Sequence, residues 1–188
     1  MHFGFINDNE ARVSITPSTL DKLINLNHKV SVEKNAGHLS GFSDSDYKKA
    51  KIASRKELIK NCDVLISVNS SSYNSFSDYE GKILISNFSL DSNKEKLKEE
   101  IDKNNISAYD LSMIPRTTIA QSMDILSSMA GLSGYKAIIK AAELLPKIFP
   151  MTITAAGSIK PVKVVVLGAG VAGLQAIATA KRLGAIVE

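Results

Sequence analysis

A glycine-rich turn near the carboxyl end of the sequence, Gly168-Ala169-Gly170-Val171-Ala172-Gly173, constrains the fold more than any other feature. Residues 162–167 precede it as an apolar segment broken only by Lys163, a composition typical of a strand buried in a parallel sheet. A helical pattern follows over residues 171–183. Strand, turn and helix come in the order of a βαβ unit, so the spacing G-x-G-x-x-G predicts a dinucleotide-binding turn.

Each glycine of this turn has a separate physical reason to be glycine. Gly168 would make the tight turn, Gly170 would let the backbone approach a pyrophosphate, and Gly173 would let the helix pack closely. The free N–H groups and the dipole of the helix N-terminus favour an anion at this point. The competing interpretation is a glycine-rich turn that binds nothing.

A ribose-binding acid is expected about 20 residues after such a turn, at the end of the second strand. Glu188 stands at roughly that distance, but it lies only four residues beyond the turn at Gly184. We therefore expect Glu188 not to be this acid, and the acid to belong to a part of the sheet beyond this sequence.

Short apolar runs alternate with amphipathic segments along the first 110 residues. Strands are predicted at 3–6, 29–33, 63–68, 82–86 and 106–110, with helices starting at Pro17, after Ser54 and at Asp91. This alternation predicts an α/β chain with a Rossmann-like parallel sheet domain, and the glycine turn predicts the first βαβ part of a second, dinucleotide-binding Rossmann domain. The predicted domains are residues 1–119, a helical connector and linker at 120–161, and an incomplete nucleotide-binding domain at 162–188.

The predicted connector begins with a long helical pattern over residues 119–145. Gly131 and Gly134 interrupt this pattern, and each costs about 1 kcal/mol relative to alanine in a helix. They therefore indicate either close packing or a break between two helices. Residues 151–161, which are punctuated by glycine and proline, are predicted to be a linker.

Composition excludes several functional classes. The 188 residues carry a formal charge of +4 with lysines and acids intermixed, and no basic tract is interleaved with aromatics, so nucleic acid is not an expected partner. No apolar run approaches 18 residues and no signal peptide is recognisable, so we expect a soluble chain. The single cysteine, Cys62, is predicted to be a small buried residue at a strand start, and no metal site is predicted.

A polar loop at residues 115–128 precedes the long helical pattern. Arg116 can bind a phosphate or carboxylate with two hydrogen bonds. Gln121, Asp124 and Ser127 or Ser128 recur at spacings of three and four, so they can share one helical face. By spacing alone, a solvated helix start is slightly favoured over a binding site.

A family resemblance favours the binding interpretation. The segments NEARVSITPSTLDKL, GHLSGFSDSDY, PRTTIAQSMDILSS, GYKAIIKAAELLPKIFPMTITAAGSIKP and GAGVAGLQAIATAKRLGA resemble the N-terminal portion of the NAD(H)-binding α subunit of proton-translocating NAD(P) transhydrogenases. Alanine dehydrogenases share the first two segments and the two-domain fold. The resemblance implies hydride transfer from NADH to NADP+, coupled to proton translocation by partner subunits.

The same resemblance assigns residues and partners. The cofactor-binding residues that it implies, together with those of the glycine turn, are Arg116, Thr117, Thr118, Gln121, Asp124, Ser127, Gly168, Gly170, Val171, Ala172 and Gly173. NADP(H) would lie on a partner subunit, and a membrane-embedded subunit would form the proton channel. The chain would be a homodimer in the cytoplasm, peripheral to the inner membrane through these partners, and no residue of it would be catalytic in its own right.

Alanine dehydrogenase activity is the less favoured alternative. Such an enzyme needs a substrate-binding arginine, a lysine and an acid/base histidine. Arg12 matches the arginine, but the lysine position falls on Ser67 and the histidine position near Ser89. Amino-acid oxidation would then lack a general base, whereas hydride transfer between two nicotinamides needs none. Arg12 is predicted to pair with Glu10 or Asp8.

The sequence departs from the family pattern in two residues and in length. Where the family reads SSQANLAGY, residues 127–135 read SSMAGLSGY, with Met129 for glutamine and Gly131 for asparagine. The family also continues well beyond residue 188. The non-enzymatic alternative is therefore a truncated or split-gene product without activity of its own, which would need a complementing C-terminal fragment.

Overall fold

The structure, a computed structural model, describes residues 1–89 and 93–188. The chain forms two compact units, Met1–Met113 and Ile114–Glu188. The three-part division predicted from the sequence, with boundaries after residues 119 and 161, stays a prediction.

The described part of the first unit contains six strands and three α-helices. The strands are β1 (His2–Phe5), β2 (Lys29–Glu33), β3 (Lys51–Ala53), β4 (Val64–Asn69), β5 (Ile83–Asn87) and β6 (Ser107–Asp110). The helices are α1 (Pro17–Asn25), α2 (Arg55–Asn61) and α3 (Lys94–Lys103).

All strand pairs of the first unit are parallel, and the strand order is β3-β2-β1-β4-β5-β6. The order reverses between β1 and β4, as in doubly wound nucleotide-binding folds. This arrangement confirms the predicted Rossmann-like parallel sheet.

The helix starts follow from local capping chemistry. Thr16 caps α1 ahead of Pro17, and Ser54 caps α2 in a capping box with Glu57, so both predicted starts are confirmed. The third predicted start, Asp91, lies outside the described residues. Within them, Asn93 caps α3 by accepting a 3.0 Å hydrogen bond from the Lys96 N–H.

Side-chain alternation along the strands of the first unit covers both faces of the sheet. Phe5 belongs to one buried cluster and Ile6 to the other, and Leu65 and Ile66 divide in the same way. Cys62 is fully buried where α2 leads into β4, and burial raises the pKa of its thiol to about 11. The prediction of a small buried cysteine is confirmed.

The second unit contains two helices and two small sheets. Its elements are α4 (Ile125–Leu144), β7 (Thr152–Thr154), β8 (Gly157–Ile159), β9 (Lys163–Val164), α5 (Val171–Arg182) and β10 (Ile186–Val187). The β9 and β10 strands pair in parallel around α5, which confirms the predicted βαβ unit.

The long helix differs from its prediction in two ways. It begins at Ile125 rather than Ile119, because Asp124 caps it and residues 121–123 form a 3₁₀ turn. It also runs without a break through Gly131 and Gly134. Of the two explanations for these glycines, close packing is therefore correct for Gly134, which is buried against α5.

The predicted linker and strand also need correction. Residues 152–159 form an antiparallel hairpin of β7 and β8 rather than a linker. Gly157, which follows the turn directly and begins β8, has a φ of 132°, a conformation that favours glycine. The predicted buried strand over 162–167 is reduced to β9, and Leu167 is 96% exposed. Val165 and Leu167 are exposed, whereas Val162 and Val164 pack against the core of the unit, and β9 pairs only with β10 among the described residues.

Candidate functional site

The polar loop before α4 is organised around Asp124. The loop turns first at Thr117, whose N–H binds the Pro115 carbonyl and whose own carbonyl accepts from the Ala120 N–H. Asp124 then accepts hydrogen bonds from the N–H groups of Leu126 (2.9 Å) and Ser127 (3.1 Å) and from the Ser127 hydroxyl (2.5 Å).

Asp124 is a buried carboxylate that stays ionised. The hydroxyl and N–H of Ser127 hold its pKa below the usual value, and the N–H of Leu126 and the charge of Arg116 act in the same direction. Because an ionised carboxylate only accepts hydrogen bonds, Asp124 can orient a hydroxyl or amide but cannot supply a proton.

Six polar side chains of this loop surround a cavity of about 220 Å³. Its lining consists of Arg116, Thr117, Thr118, Gln121, Asp124 and Ser127. These are the six loop residues predicted from the sequence, and the structure brings all of them together. The single cation, single anion and four neutral polar groups offer donors and acceptors to a ligand of mixed polarity.

The glycine turn has the geometry that its sequence predicts. Gly168 has a φ of 103°, in the region that favours glycine. A Cβ on Gly173 would lie 1.9 Å from the Gly168 carbonyl oxygen, so only glycine fits there. A Cβ on Gly170 would meet nothing within 4 Å, and no side chain caps α5 at this residue. The first turn of α5 therefore presents its N–H groups to an open space suited to phosphate.

A second cavity, of about 370 Å³, joins the glycine turn to the polar loop. One wall is formed by Arg116, Leu126, Ser127 and Ala130, and the other by Leu167, Gly168, Gly170, Val171, Ala172 and Gly173. Arg116 and Ser127 line both cavities. All eleven predicted binding residues therefore border two adjoining cavities within the second unit.

Sequence reasoning missed the apolar lining. Leu126, Ala130 and Leu167 border the larger of the two cavities and carry no chemical signal in the sequence. Leu126 and Ala130 are four residues apart on one face of α4, and the helical pattern predicted over residues 119–145 already includes both. Apolar side chains on a helix are expected in a packed core, so no signal distinguished these two as cavity residues.

A larger groove of the second unit lies elsewhere. It measures about 930 Å³ and is mostly apolar, with Leu145, Phe149, Pro150 and Leu183 in its walls. None of the predicted residues lines it. We place the candidate site at the two smaller cavities because the glycine turn, the free N–H groups of the first turn of α5 and the convergent polar side chains all lie there.

The first unit has a different arrangement at the carboxyl ends of β1 and β4. The Asp8 carboxylate accepts from the N–H groups of Val68 (3.0 Å) and Asn69 (3.4 Å) and from the Ser72 hydroxyl. Burial raises the pKa of Asp8, and these hydrogen bonds lower it less. The Asp8 side chain thus occupies the N–H groups of Val68 and Asn69, which would otherwise be available to an anionic ligand.

Arg12 is paired as predicted. Its guanidinium binds both carboxylate oxygens of Glu10, one through Nε and the other through an amino group at 2.9 Å. Glu10 also accepts a 3.2 Å hydrogen bond from the Asn69 amide. Ser67 is buried against the Ser86 hydroxyl at 2.8 Å, so neither end of this cluster offers a free cation.

Residues 1–89 and 93–188 contain neither a cluster of metal ligands nor a helix that could span a membrane. No group of three or more His, Cys, Asp or Glu side chains among them could hold a metal ion. No helix in this part of the chain is both long and apolar enough to cross a membrane.

Comparison with family models accounts for nearly the whole chain. Residues 6–133 match the model described as "Alanine dehydrogenase/PNT, N-terminal domain", and residues 137–188 match "Alanine dehydrogenase/PNT, C-terminal domain". The chain belongs to the alanine dehydrogenase/PNT family. The family resemblance inferred from the sequence is thereby confirmed.

Individual relatives come from both branches of the alanine dehydrogenase/PNT family. The first part of NAD(P) transhydrogenase subunit alpha from Rickettsia prowazekii is 44% identical over 187 residues, covering 95% of this chain and 49% of the relative. Alanine dehydrogenase 2 of Staphylococcus aureus is 35% identical over 192 residues, covering 97% and 50%.

A solved structure agrees with these relatives. The crystal structure of transhydrogenase from Sinorhizobium meliloti superposes with a TM-score of 0.92 at 37% identity, covering all of this chain and 57% of that one. The chain spans about half the length of the curated relatives it matches.

Proposed function

We propose that this chain is the NAD(H)-binding part of a proton-translocating NAD(P)+ transhydrogenase. The observation that carries this proposal is the convergence of eleven predicted residues around two adjoining cavities, one at the glycine turn and one in the polar loop. A dinucleotide has a pyrophosphate and a nicotinamide end, and the two cavities offer donors suited to each. The similarity to transhydrogenase alpha subunits favours this activity.

The protein's contribution would be binding and orientation. The first turn of α5 and the open space at Gly170 fit a pyrophosphate. Arg116, Gln121, Asp124 and Ser127 would hold the nicotinamide side, with Asp124 accepting hydrogen bonds. NADH supplies the hydride when it is bound, and transfer to a second nicotinamide requires correct placement rather than an acid or base.

The partners follow from the same assignment. NADP(H) would bind to a second subunit, and a membrane-embedded subunit would conduct protons. We further propose a homodimer that lies in the cytoplasm and reaches the inner membrane through these subunits. The transhydrogenase relative from Rickettsia prowazekii is named as one portion of an alpha subunit, which supports a multi-subunit assembly.

Alanine dehydrogenase activity is disfavoured by the first unit. Arg12 is neutralised by Glu10, and Ser67 is buried against Ser86, so a substrate carboxylate would find no unpaired cation in this cluster. We expect no NADH formation from L-alanine and NAD+, measured by absorbance at a high concentration of purified chain. Steady NADH formation would restore this alternative.

A product without activity of its own is the second candidate. The specific observation is the exposed apolar surface around β9, with Val165 64% and Leu167 96% exposed. Apolar side chains of a parallel strand are normally covered by helices packed on the faces of the sheet, and an added chain segment could cover these. On this interpretation the chain binds NADH weakly and transfers hydride only after a complementing fragment is supplied.

An NADH titration of the purified chain tests both candidates. We expect saturable but weak binding, with a dissociation constant on the order of 1 mM, or about −4 kcal/mol. Micromolar binding would show that the site is complete as it stands. A linear response without saturation would contradict the proposed nucleotide site.

A further inference from the structure

Helices α4 and α5 touch through their backbones at one point. A Cβ added to Gly134 would lie 2.1 Å from the carbonyl oxygen of Ala172 and 2.9 Å from its carbonyl carbon. Real Cβ atoms do not approach backbone so closely, and a carbonyl inside a helix cannot rotate away. Any side chain at position 134 therefore has to move one helix relative to the other.

The contact at Gly134 continues into the glycine turn. Ala172 belongs to this turn, and the next residue, Gly173, is held against the Gly168 carbonyl oxygen, which a Cβ would approach to 1.9 Å. Three backbone segments are thus stacked: α4, the first turn of α5, and the turn at Gly168. The position of α4 is fixed directly against the phosphate-binding backbone.

The N-terminal end of the same α4 face adjoins the polar loop. Ser127 precedes Gly134 by seven residues, about two helical turns or roughly 10 Å, so both lie on one face. Ser127 lines both cavities and binds the Asp124 carboxylate. A displacement of α4 at Gly134 would consequently move Ser127 and Asp124 relative to the glycine turn.

We propose that Gly134 is a positioning residue that sets the spacing between the polar loop at 116–127 and the glycine turn at 168–173. This inference rests on the proposed dinucleotide-binding function. Gly134 itself lines neither cavity. Its effect would be specific to ligands long enough to bind both walls at once.

Gly131 provides a matched control on the same face of α4. A Cβ there would meet only the Val171 Cγ1, at 3.8 Å, which is an ordinary van der Waals contact. The substitution Gly131→Ala therefore adds the same methyl group one helical turn away without displacing α5. Any effect of added helix propensity is common to both variants.

Binding of NADH and of ADP distinguishes positioning from general damage. In the proposed site, ADP would contact the glycine turn alone, whereas NADH would extend from it to the polar loop. For Gly134→Ala we expect NADH binding to weaken by about tenfold or more and ADP binding by no more than about threefold, measured by amide chemical shifts. Gly131→Ala should leave both affinities within about twofold of the original chain.

A second variant decides the matter if Gly134→Ala does not fold. Ile138 packs against Ala176 farther along the same helix pair, so Ala176→Val pushes α4 outward through side chains and leaves the turn untouched. The same selective loss of NADH binding is expected for it. Equal loss of ADP and NADH binding in the variants that fold, or no loss, would overturn the positioning role.

The outcomes separate the two proposals. If the original chain binds NADH and the NADH-to-ADP affinity ratio is unchanged in Gly134→Ala or Ala176→Val, the positioning role is wrong and the nucleotide site stands. If the original chain binds neither ligand, the nucleotide site is wrong and the positioning role falls with it.

Discussion

At the scale of single residues, two hydrogen-bonded aspartates have opposite electrostatic situations. Asp124 accepts hydrogen bonds from Ser127 and from helix N–H groups, which lower its pKa. Asp8 lies next to Glu10, and burial raises its pKa despite three hydrogen-bond donors. The difference predicts opposite dependences of stability on pH.

Asp124→Asn should test the first case. Because the folded pKa of Asp124 lies below its unfolded value, its stabilising contribution is present above about pH 4 and disappears as pH falls through the folded pKa. Asparagine still caps a helix through its carbonyl oxygen, so the substitution keeps the cap and removes the charge together with the acceptor of the Ser127 hydroxyl. Urea unfolding of α4, followed by its amide signals, should show a difference from the original chain that is constant between about pH 5 and 7 and shrinks below about pH 4.

Asp8→Asn should show the reverse. The folded pKa of Asp8 is raised, so its contribution is fully present below the unfolded pKa and is lost as pH rises through the folded pKa. The variant, which cannot ionise, should therefore gain stability relative to the original chain as pH rises from about 3 to 6. Urea unfolding followed by the amide signals of the first unit measures this stability difference. If the difference changed with pH in the same direction as for Asp124→Asn, the raised pKa of Asp8 would be refuted.

At the scale of elements, the two glycines of α4 make different demands. Gly131→Ala has room for its methyl group and removes a flexible residue from a helix interior, so it should stabilise the second unit by about 0.5–1 kcal/mol. Gly134→Ala should destabilise the same unit because of its clash with Ala172. Urea unfolding followed by α5 amides compares them, and equal changes for both would contradict the packing of α4 on α5.

Sequence reasoning succeeded for elements whose signals are local. Two helix starts were predictable because the side chains of Thr16 and Ser54 cap the helices that follow them. The glycine turn at 168–173 was predictable because its backbone conformation requires glycine. The start of α4 was not predictable in the same way. The composition of residues 119–123 is compatible with a helix, and the helix begins only after Asp124 because this side chain caps it. The β7–β8 hairpin was missed because its three-residue strands carry too little periodicity to recognise.

The candidate site shows the same division. Its polar members were predictable from spacing and family resemblance. The two cavities that they border, and the apolar residues between them, depend on how α4 packs on α5, which no local signal encodes. Exposure of Leu167 was likewise unpredictable, because it depends on which strands lie beside β9 rather than on the residues themselves.

At the scale of the whole molecule, each unit has its own core. The two buried clusters of the first unit draw all their members from residues before 107, and the third cluster lies entirely in residues 138–187. Residues 1–113 expressed alone should therefore give an amide spectrum that overlays the corresponding signals of the full chain. Collapsed, poorly dispersed signals would show that the first unit depends on the second.

The strand order of a nucleotide-binding fold and the glycine turn lie in different units. The first has the complete strand order of a nucleotide-binding fold, but its loop at 6–16 contains no glycine and Asp8 occupies the main-chain donors. The second has only a two-stranded parallel ladder, yet it holds the glycine turn and the polar loop. We infer from this division that the dinucleotide binds to the second unit.

Mapping amide chemical shifts during an NADH titration of the full chain tests this claim most directly. We expect saturable shifts at Gly168, Gly170 and Gly173 and across the loop at 116–127, while the signals of Met1–Met113 stay in place. Shifts centred on Asp8, Val68 and Asn69, or no saturable shifts in the second unit, would contradict it.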